Sequence, residues 1–164
     1  MPELIDAKGG QGVRTRVGHS YIKAQMAEKG ALFGGEHSAH YYFADFFNAD
    51  SGMVAALHVL AALAEHDKPL SELMAQYNRY AASGEINSEV AEQQAKMDAV
   101  VDVFADRTES VDTLDGVTVS LAGSKTWFNV RASNTEPLLR LNVEAETQAE
   151  VDAVVDEVLG IIRS

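Results

Sequence analysis

The run Trp127-Phe128-Asn129-Val130-Arg131-Ala132-Ser133-Asn134-Thr135-Glu136-Pro137-Leu138-Leu139-Arg140-Leu141-Asn142-Val143 decides how this chain folds. Two strand-like segments, Trp127 to Val130 and Leu138 to Val143, bracket a polar turn. In the second, Leu139, Leu141 and Val143 alternate with Arg140 and Asn142, the period of a strand with one buried face. Pro137 gives up an N–H where that strand begins. The turn gathers one guanidinium, two hydroxyls and one carboxamide between Arg131 and Thr135. Arginine offers a planar fork of donors that matches two phosphate oxygens. Ser133, Asn134 and Thr135 add neutral donors, and the turn's own N–H groups can form a small anion nest. Phosphate binding is one reading of these residues; an ordinary polar hairpin turn is the other. Glu136 counts against phosphate unless its carboxylate turns away, toward Arg140.

Downstream, Thr147 and Glu150 spell a capping box. Val151, Val154, Val155, Val158, Leu159 and Ile162 then form an apolar stripe at helical spacing. Upstream, Val117, Val119 and Leu121 alternate as a strand. Glu92 to Ala105 reads as a helix with Met97, Val100, Val101 and Phe104 inward, and Glu85 to Val90 as a strand. The order β-α-β-β-β-α predicts an α+β domain over 84–164: a four-stranded, mainly antiparallel sheet with two helices on one face.

Residues 1–83 read differently. Gly12 to Val17 is a short predicted strand, His19 to about Lys29 a helix ended by Gly30, and Ala31 to Phe33 a second strand. That is a βαβ pattern and implies a partial parallel α/β layer. Two parallel strands do not stand alone, so the segment is expected to be part of a domain that begins outside the chain. Asp50 or Ser51 caps a helix from Gly52 to Ala64, with Met53, Leu57, Leu60 and Ala64 as its buried stripe. Ser71 caps the next helix, and Ser83-Gly84 marks the domain boundary.

The 164 residues suffice for one domain or two small ones, and 46% are hydrophobic, ordinary for a chain that buries a core. Cysteine is absent, which excludes disulfides and thiolate metal sites. The net charge of −12 disfavours nucleic acid and anionic membrane. An anionic ligand needs local cations, for which Arg14, Arg16, Lys23, Lys125, Arg131 and Arg140 are the candidates. The first ten residues carry acids and no apolar core, unlike a signal peptide, and no apolar run reaches membrane-spanning length. A cytoplasmic protein is expected.

A second polar cluster, Gly34-Gly35-Glu36-His37-Ser38-Ala39-His40, follows the predicted strand at 31–33. The glycines allow a ligand close to the backbone. Glu36 can accept hydrogen bonds from two neighbouring sugar hydroxyls, and Ser38 can add one more. His19 opens the helix at the same end and is a candidate proton carrier, since imidazole titrates near neutrality. Alternatively, Glu36, His37, His40 and His19 are possible zinc ligands, although their spacing is not the helical His-Glu-x-x-His arrangement. A glycine-rich loop with incidental histidines is the third reading.

Taken together, the two clusters resemble one family. Gly35-Glu36-His37-Ser38-Ala39-His40 looks like the sugar-binding loop of the α-D-phosphohexomutases. Arg131-Ala132-Ser133-Asn134-Thr135 looks like that family's C-terminal phosphate-binding loop, and Val17-Gly18-His19-Ser20-Tyr21-Ile22-Lys23 is similar to the segment before the sugar loop. Within that family the sequence resembles the bacterial phosphomannomutase/phosphoglucomutase branch. The family often has Met and Gly where this chain has His37 and Ala39, which bears on the backbone shape of the loop.

The resemblance implies the second half of a third domain and all of a fourth. It implies hydroxyl contacts from Glu36 and Ser38, a phosphate clamp of Arg131, Ser133, Asn134 and Thr135, and a place for His19 near the transferring phosphate. For the full-length protein it implies an isomerase of mannose or glucose 1- and 6-phosphates, working through a hexose bisphosphate with Mg2+. The family's phosphoserine and metal-binding aspartate loops do not occur in this sequence. This chain alone is therefore expected to bind no metal and to be inactive without the missing N-terminal domains. A stand-alone, non-catalytic phosphosugar-binding or interaction module is the alternative.

Overall fold

The structure is a computed structural model that describes residues 1–133 and 135–164. The chain divides into two compact units, Met1–Asp67 and Lys68–Ser164.

The first unit contains helices α1 (Pro2–Ala7), α2 (His19–Lys29) and α3 (Gly52–Ala64), and strands β1 (Phe33–Gly35), β2 (Tyr41–Phe43) and β3 (Ala49–Asp50). Glycine in the left-handed conformation ends α2, as expected. The parallel βαβ layer is not what forms. Residues 12–17 carry no strand, and β1, β2 and β3 pair antiparallel in sequence order. The five-residue turn after β1 folds the chain straight back, so Gly34 meets Tyr42 and Phe33 meets Phe43. Ile22, Met26 and Tyr42 make the small core, with Ala31 and Ala44 against it. Gly34 is what lets α2 lie on the sheet: a Cβ there would stand 2.9 Å from Ile22 Cγ2.

Ser51 caps α3, its hydroxyl accepting from the Val54 N–H at 3.2 Å. The expected buried stripe is corrected by the structure: Met53 is 74% exposed, and Leu57 and Leu60 are exposed as well. The helix is apolar on nearly every side, so periodicity could not say which side turns inward. Beside it lies an open groove of about 660 Å3, lined by Phe33, Tyr41, Phe43, Phe46, Val54 and His58 among others.

The second unit contains α4 (Leu70–Ala75), β4 (Ala81–Ala82), β5 (Ile86–Glu89), α5 (Gln93–Phe104), β6 (Thr108–Asp112), β7 (Val117–Leu121), β8 (Trp127–Ala132), β9 (Leu138–Ala145) and α6 (Gln148–Ile162). Pro69, not Ser71, precedes α4. The sheet runs β4-β9-β8-β7-β6, with β5 also on β9, and every pairing is antiparallel. Six strands therefore replace the four expected. The short β4 and the edge strand β6 are the additions.

Leu139, Leu141, Val143 and Ala145 of β9 are buried with Phe128 and Val130 of β8 and Val117 and Val119 of β7. Met97, Val100 and Phe104 of α5, and Val151, Val154, Val158 and Ile162 of α6, complete the same cluster. Phe104 meets Phe128 edge to face at 4.8 Å between centroids. The capping box at Thr147 and Glu150 is present in full. Alternation thus puts the helices on one face and leaves Asn129, Arg131, Arg140 and Asn142 on the other.

Candidate functional site

The turn between β1 and β2 is closed by two backbone bonds: Glu36 N–H to His40 O at 2.9 Å, and Ala39 N–H to Glu36 O at 3.1 Å. Ala39 sits at φ 65°, a conformation glycine would adopt without strain. The Glu36 carboxylate is fixed from three directions. Its Oε1 accepts from the Gly18 N–H at 3.1 Å and from the Tyr42 hydroxyl at 3.3 Å. Its Oε2 accepts from the Ser38 hydroxyl at 3.1 Å. Burial, reinforced by the nearby Glu36 charge, pushes the Tyr42 phenol up to about 12.

His40 closes the turn and faces β3. Its Nδ1 lies 2.6 Å from Asp50 Oδ2, and Asp50 Oδ1 accepts from the Tyr41 N–H at 2.9 Å. The hydrogen bond to Asp50, then its charge, raise the His40 pKa above the ordinary 6.5. The same bond holds the Asp50 carboxyl below 3.8. Sequence reasoning weighed His40 only as a zinc ligand and Asp50 only as a helix cap. With Ser51 capping α3, Asp50 is left to orient the imidazole. Their meeting depends on the β2–β3 register, where Asp50 stands opposite Tyr42. Among the described residues no three His, Cys, Asp or Glu side chains come together as a metal-binding group. His19 is the first residue of α2 and is exposed, as is His37.

The second cluster joins β8 to β9. Ser133 N–H donates to Leu138 O at 2.8 Å, and Thr135 N–H to Ser133 Oγ at 3.4 Å. Asn134 lies outside the described residues. Arg131 extends over the sheet's polar face, with its Nε 3.6 Å from Asp115 Oδ2 and its side chain 16% exposed. Arg140 stands directly across from it in the β8–β9 register. Arg140 pairs with Glu85 at 3.2 Å and with Glu136 at 3.8 Å. Glu136 therefore does turn toward Arg140, as its sequence position suggested. The two guanidiniums stand side by side, and Asp115, Glu85 and Glu136 bring three carboxylates within 4 Å of them, so their charge is compensated locally.

The first unit thus carries a β-meander with a fixed carboxylate and an oriented histidine, and the second an α+β fold with an arginine-bearing turn. The comparisons make this specific. Residues 1–80 match the family model described as phosphoglucomutase/phosphomannomutase, alpha/beta/alpha domain III. Residues 85–161 match the C-terminal domain of the same family. A phosphomannomutase of Methanocaldococcus jannaschii is 40% identical over 162 residues, which cover 99% of this chain and 35% of that protein. A phosphomannomutase of Escherichia coli K12 is 41% identical over 144 residues, 87% of this chain and 31% of that protein. A crystal structure of a phosphoglucomutase/phosphomannomutase family protein from Burkholderia thailandensis superposes with a TM-score of 0.81 at 28% identity, over 98% of this chain and 35% of that one. The chain belongs to the phosphoglucomutase/phosphomannomutase family, of which it represents the C-terminal part. It spans about a third of the length of the curated relatives it matches.

Proposed function

We propose that this chain is the ligand-positioning part of a cytoplasmic phosphohexomutase, which interconverts the 1- and 6-phosphates of mannose or glucose through a hexose bisphosphate. The turn at 36–40 takes the sugar hydroxyls through Glu36 and Ser38. The turn at 131–137 holds the phosphate that is not being transferred, through Arg131, Ser133, Asn134 and Thr135. The family segments 1–80 and 85–161 support a domain boundary at Ser83-Gly84. The observation that carries the reading is the Glu36 carboxylate, fixed in an exposed turn with lone pairs to spare.

Phosphoryl transfer to a sugar hydroxyl requires an acceptor for that hydroxyl's proton, and the reverse step a donor. His19 and His40 are the candidates. The Asp50 contact favours His40, because a carboxylate on Nδ1 fixes the ring and leaves Nε2 to exchange the proton. The sequence holds no Thr-Ala-Ser-His-Asn-Pro-like loop to carry a phosphoserine. This part positions the ligand, and the phosphoryl group and metal come from elsewhere in the enzyme.

Amide spectra of the labelled chain, titrated with glucose 1-phosphate, mannose 1-phosphate and inorganic phosphate, test the proposal. Inorganic phosphate is expected to move Arg131, Ser133 and Thr135 alone. The sugar phosphates are expected to move Glu36, Ser38 and His40 as well. A sugar phosphate that leaves both turns unmoved removes the proposal.

A further inference from the structure

A carboxylate oxygen accepts two hydrogen bonds, and a hydroxyl that donates its proton keeps only its lone pairs to offer. On Glu36 the occupancy is unequal. Oε1 already receives two donors, Gly18 N–H and Tyr42 O–H. Oε2 receives one, from Ser38, which spends its proton there. Among the described residues Oε1 thus takes its full two donors, and Oε2 can accept one more. Beside it, Ser38 Oγ offers lone pairs. The turn presents two neighbouring acceptors on two residues, where the sequence suggested that Glu36 would take both hydroxyls itself.

We infer that Tyr42 is a positioning residue: with the Gly18 N–H, its hydroxyl closes one oxygen of Glu36 and aims the other, together with Ser38 Oγ, at two adjacent ligand hydroxyls that both arrive as donors. The inference rests on the reading of Glu36 as a hydroxyl acceptor. Tyr42 is suited to the task. It is 2% exposed and packs with Ile22 and Met26, so its ring does not move to follow the ligand. Its raised pKa keeps the proton in place throughout the neutral range. Phenylalanine at this position would preserve the packing and release Oε1. The ligand class is then a pyranose phosphate with two neighbouring free hydroxyls, and replacing either by hydrogen leaves one acceptor unpaired.

Titration of the full 164-residue chain with glucose 1-phosphate, its mono-deoxy analogues and inorganic phosphate tests this, with affinities read from amide shifts. In the parent chain, loss of either of two adjacent hydroxyls is expected to weaken binding roughly 3- to 10-fold, the worth of one hydrogen bond. In Tyr42→Phe, glucose 1-phosphate is expected to bind more weakly, the ratio between parent and deoxy ligands to shrink toward one, and inorganic phosphate to bind unchanged. A merely structural loss would weaken parent and deoxy ligands alike and keep their ratio, so an unchanged ratio overturns the role of Tyr42 even if the variant is less stable. Glu36→Gln separates the two readings. If it leaves glucose 1-phosphate binding intact, the acceptor reading fails and the inference falls with it. If it weakens binding while Tyr42→Phe keeps both affinity and ratio, only the inference is lost.

Discussion

His40 and Asp50 are joined at 2.6 Å, Nδ1 to Oδ2, across the turn from β2 to β3. Asp50 is itself tied to the Tyr41 N–H, so the imidazole is oriented by a group that the sheet holds in place. The Asp50 pKa lies below 3.8, so its part of the pairing is present above that value and is lost as pH falls through the folded pKa. The His40 pKa lies above 6.5, so its part is complete below 6.5 and is lost as pH rises through the raised value. Asp50→Asn is expected to return His40 toward 6.5 in a proton NMR titration. The melting-temperature gap between parent and variant is expected to be widest between 3.8 and 6.5 and to close above the His40 pKa. A His40 titration that does not shift in Asp50→Asn contradicts this account.

Arg131→Ala is expected to weaken phosphosugar binding more than Glu36→Ala. A charge-assisted pair of bonds is worth about 1.5–3 kcal/mol, and a neutral hydroxyl contact about 0.5–1.5 kcal/mol. The loss is expected to grow at low salt, because the chain's net −12 is then least screened. Arg131→Lys recovers only part, since a point charge cannot make two parallel bonds to one phosphate. Equal calorimetric affinity for glucose 6-phosphate in Arg131→Ala and the parent would reduce the turn to a hairpin connection.

Ala39→Gly is expected to stabilise the first unit by roughly 0.5–1 kcal/mol. Relief of a left-handed alanine brings about 1–2 kcal/mol, partly offset by the greater freedom of glycine in the unfolded chain. Urea unfolding followed at the Tyr42 region measures it, and a lower midpoint in the variant would be the contrary result.

Amide exchange is expected to be slowest in β7, β8 and β9 and much faster in β1, β2 and β3. The second unit buries a continuous core under two helices, whereas the first has three buried side chains and an exposed apolar helix. Equal protection in both units of a dilute monomer would show that the small core is not the weaker one.

The 164-residue chain alone is expected to show no mutase turnover, even with Mg2+ and a hexose bisphosphate. Measurable turnover of mannose 1-phosphate by chain free of host enzyme would reassign the chemistry to residues in this part.

The second unit was legible because its burial follows simple periods. Strict alternation in β9 and the stripe of α6 each leave one face apolar, and a capping box fixes where the helix starts. Strand β6 was not legible: Val111 is its only large apolar residue, and even that is exposed at the sheet's edge. In the first unit the hydrophobic signal misled. The strand-like composition at 12–17 does not become a strand, and α3 lacks the polar side that would have told inside from outside. At the candidate site, Glu36, Ser38, Arg131 and Ser133 could be named from local composition. Asp50, Tyr42 and the Gly18 N–H could not, because their roles arise from pairing register and from a helix end reaching Glu36 from eighteen residues away.

Ala39 and Gly116 share a left-handed backbone, with φ of 65° and 69°. At Ala39 a side chain is accommodated. At Gly116 a Cβ would strike the Val130 carbonyl oxygen and come within 2.7 Å of the Arg131 Cα, so the strand that carries Arg131 would have to shift. In genetic terms the two positions have different fates. Every missense change to a glycine codon adds at least one carbon, so no inherited substitution at 116 is conservative. A mutational scan would show a single permitted residue at 116, and at 39 a preference for glycine with alanine accepted. The residue that leaves Arg131 its place contributes no functional group at all, only the room that its missing side chain leaves.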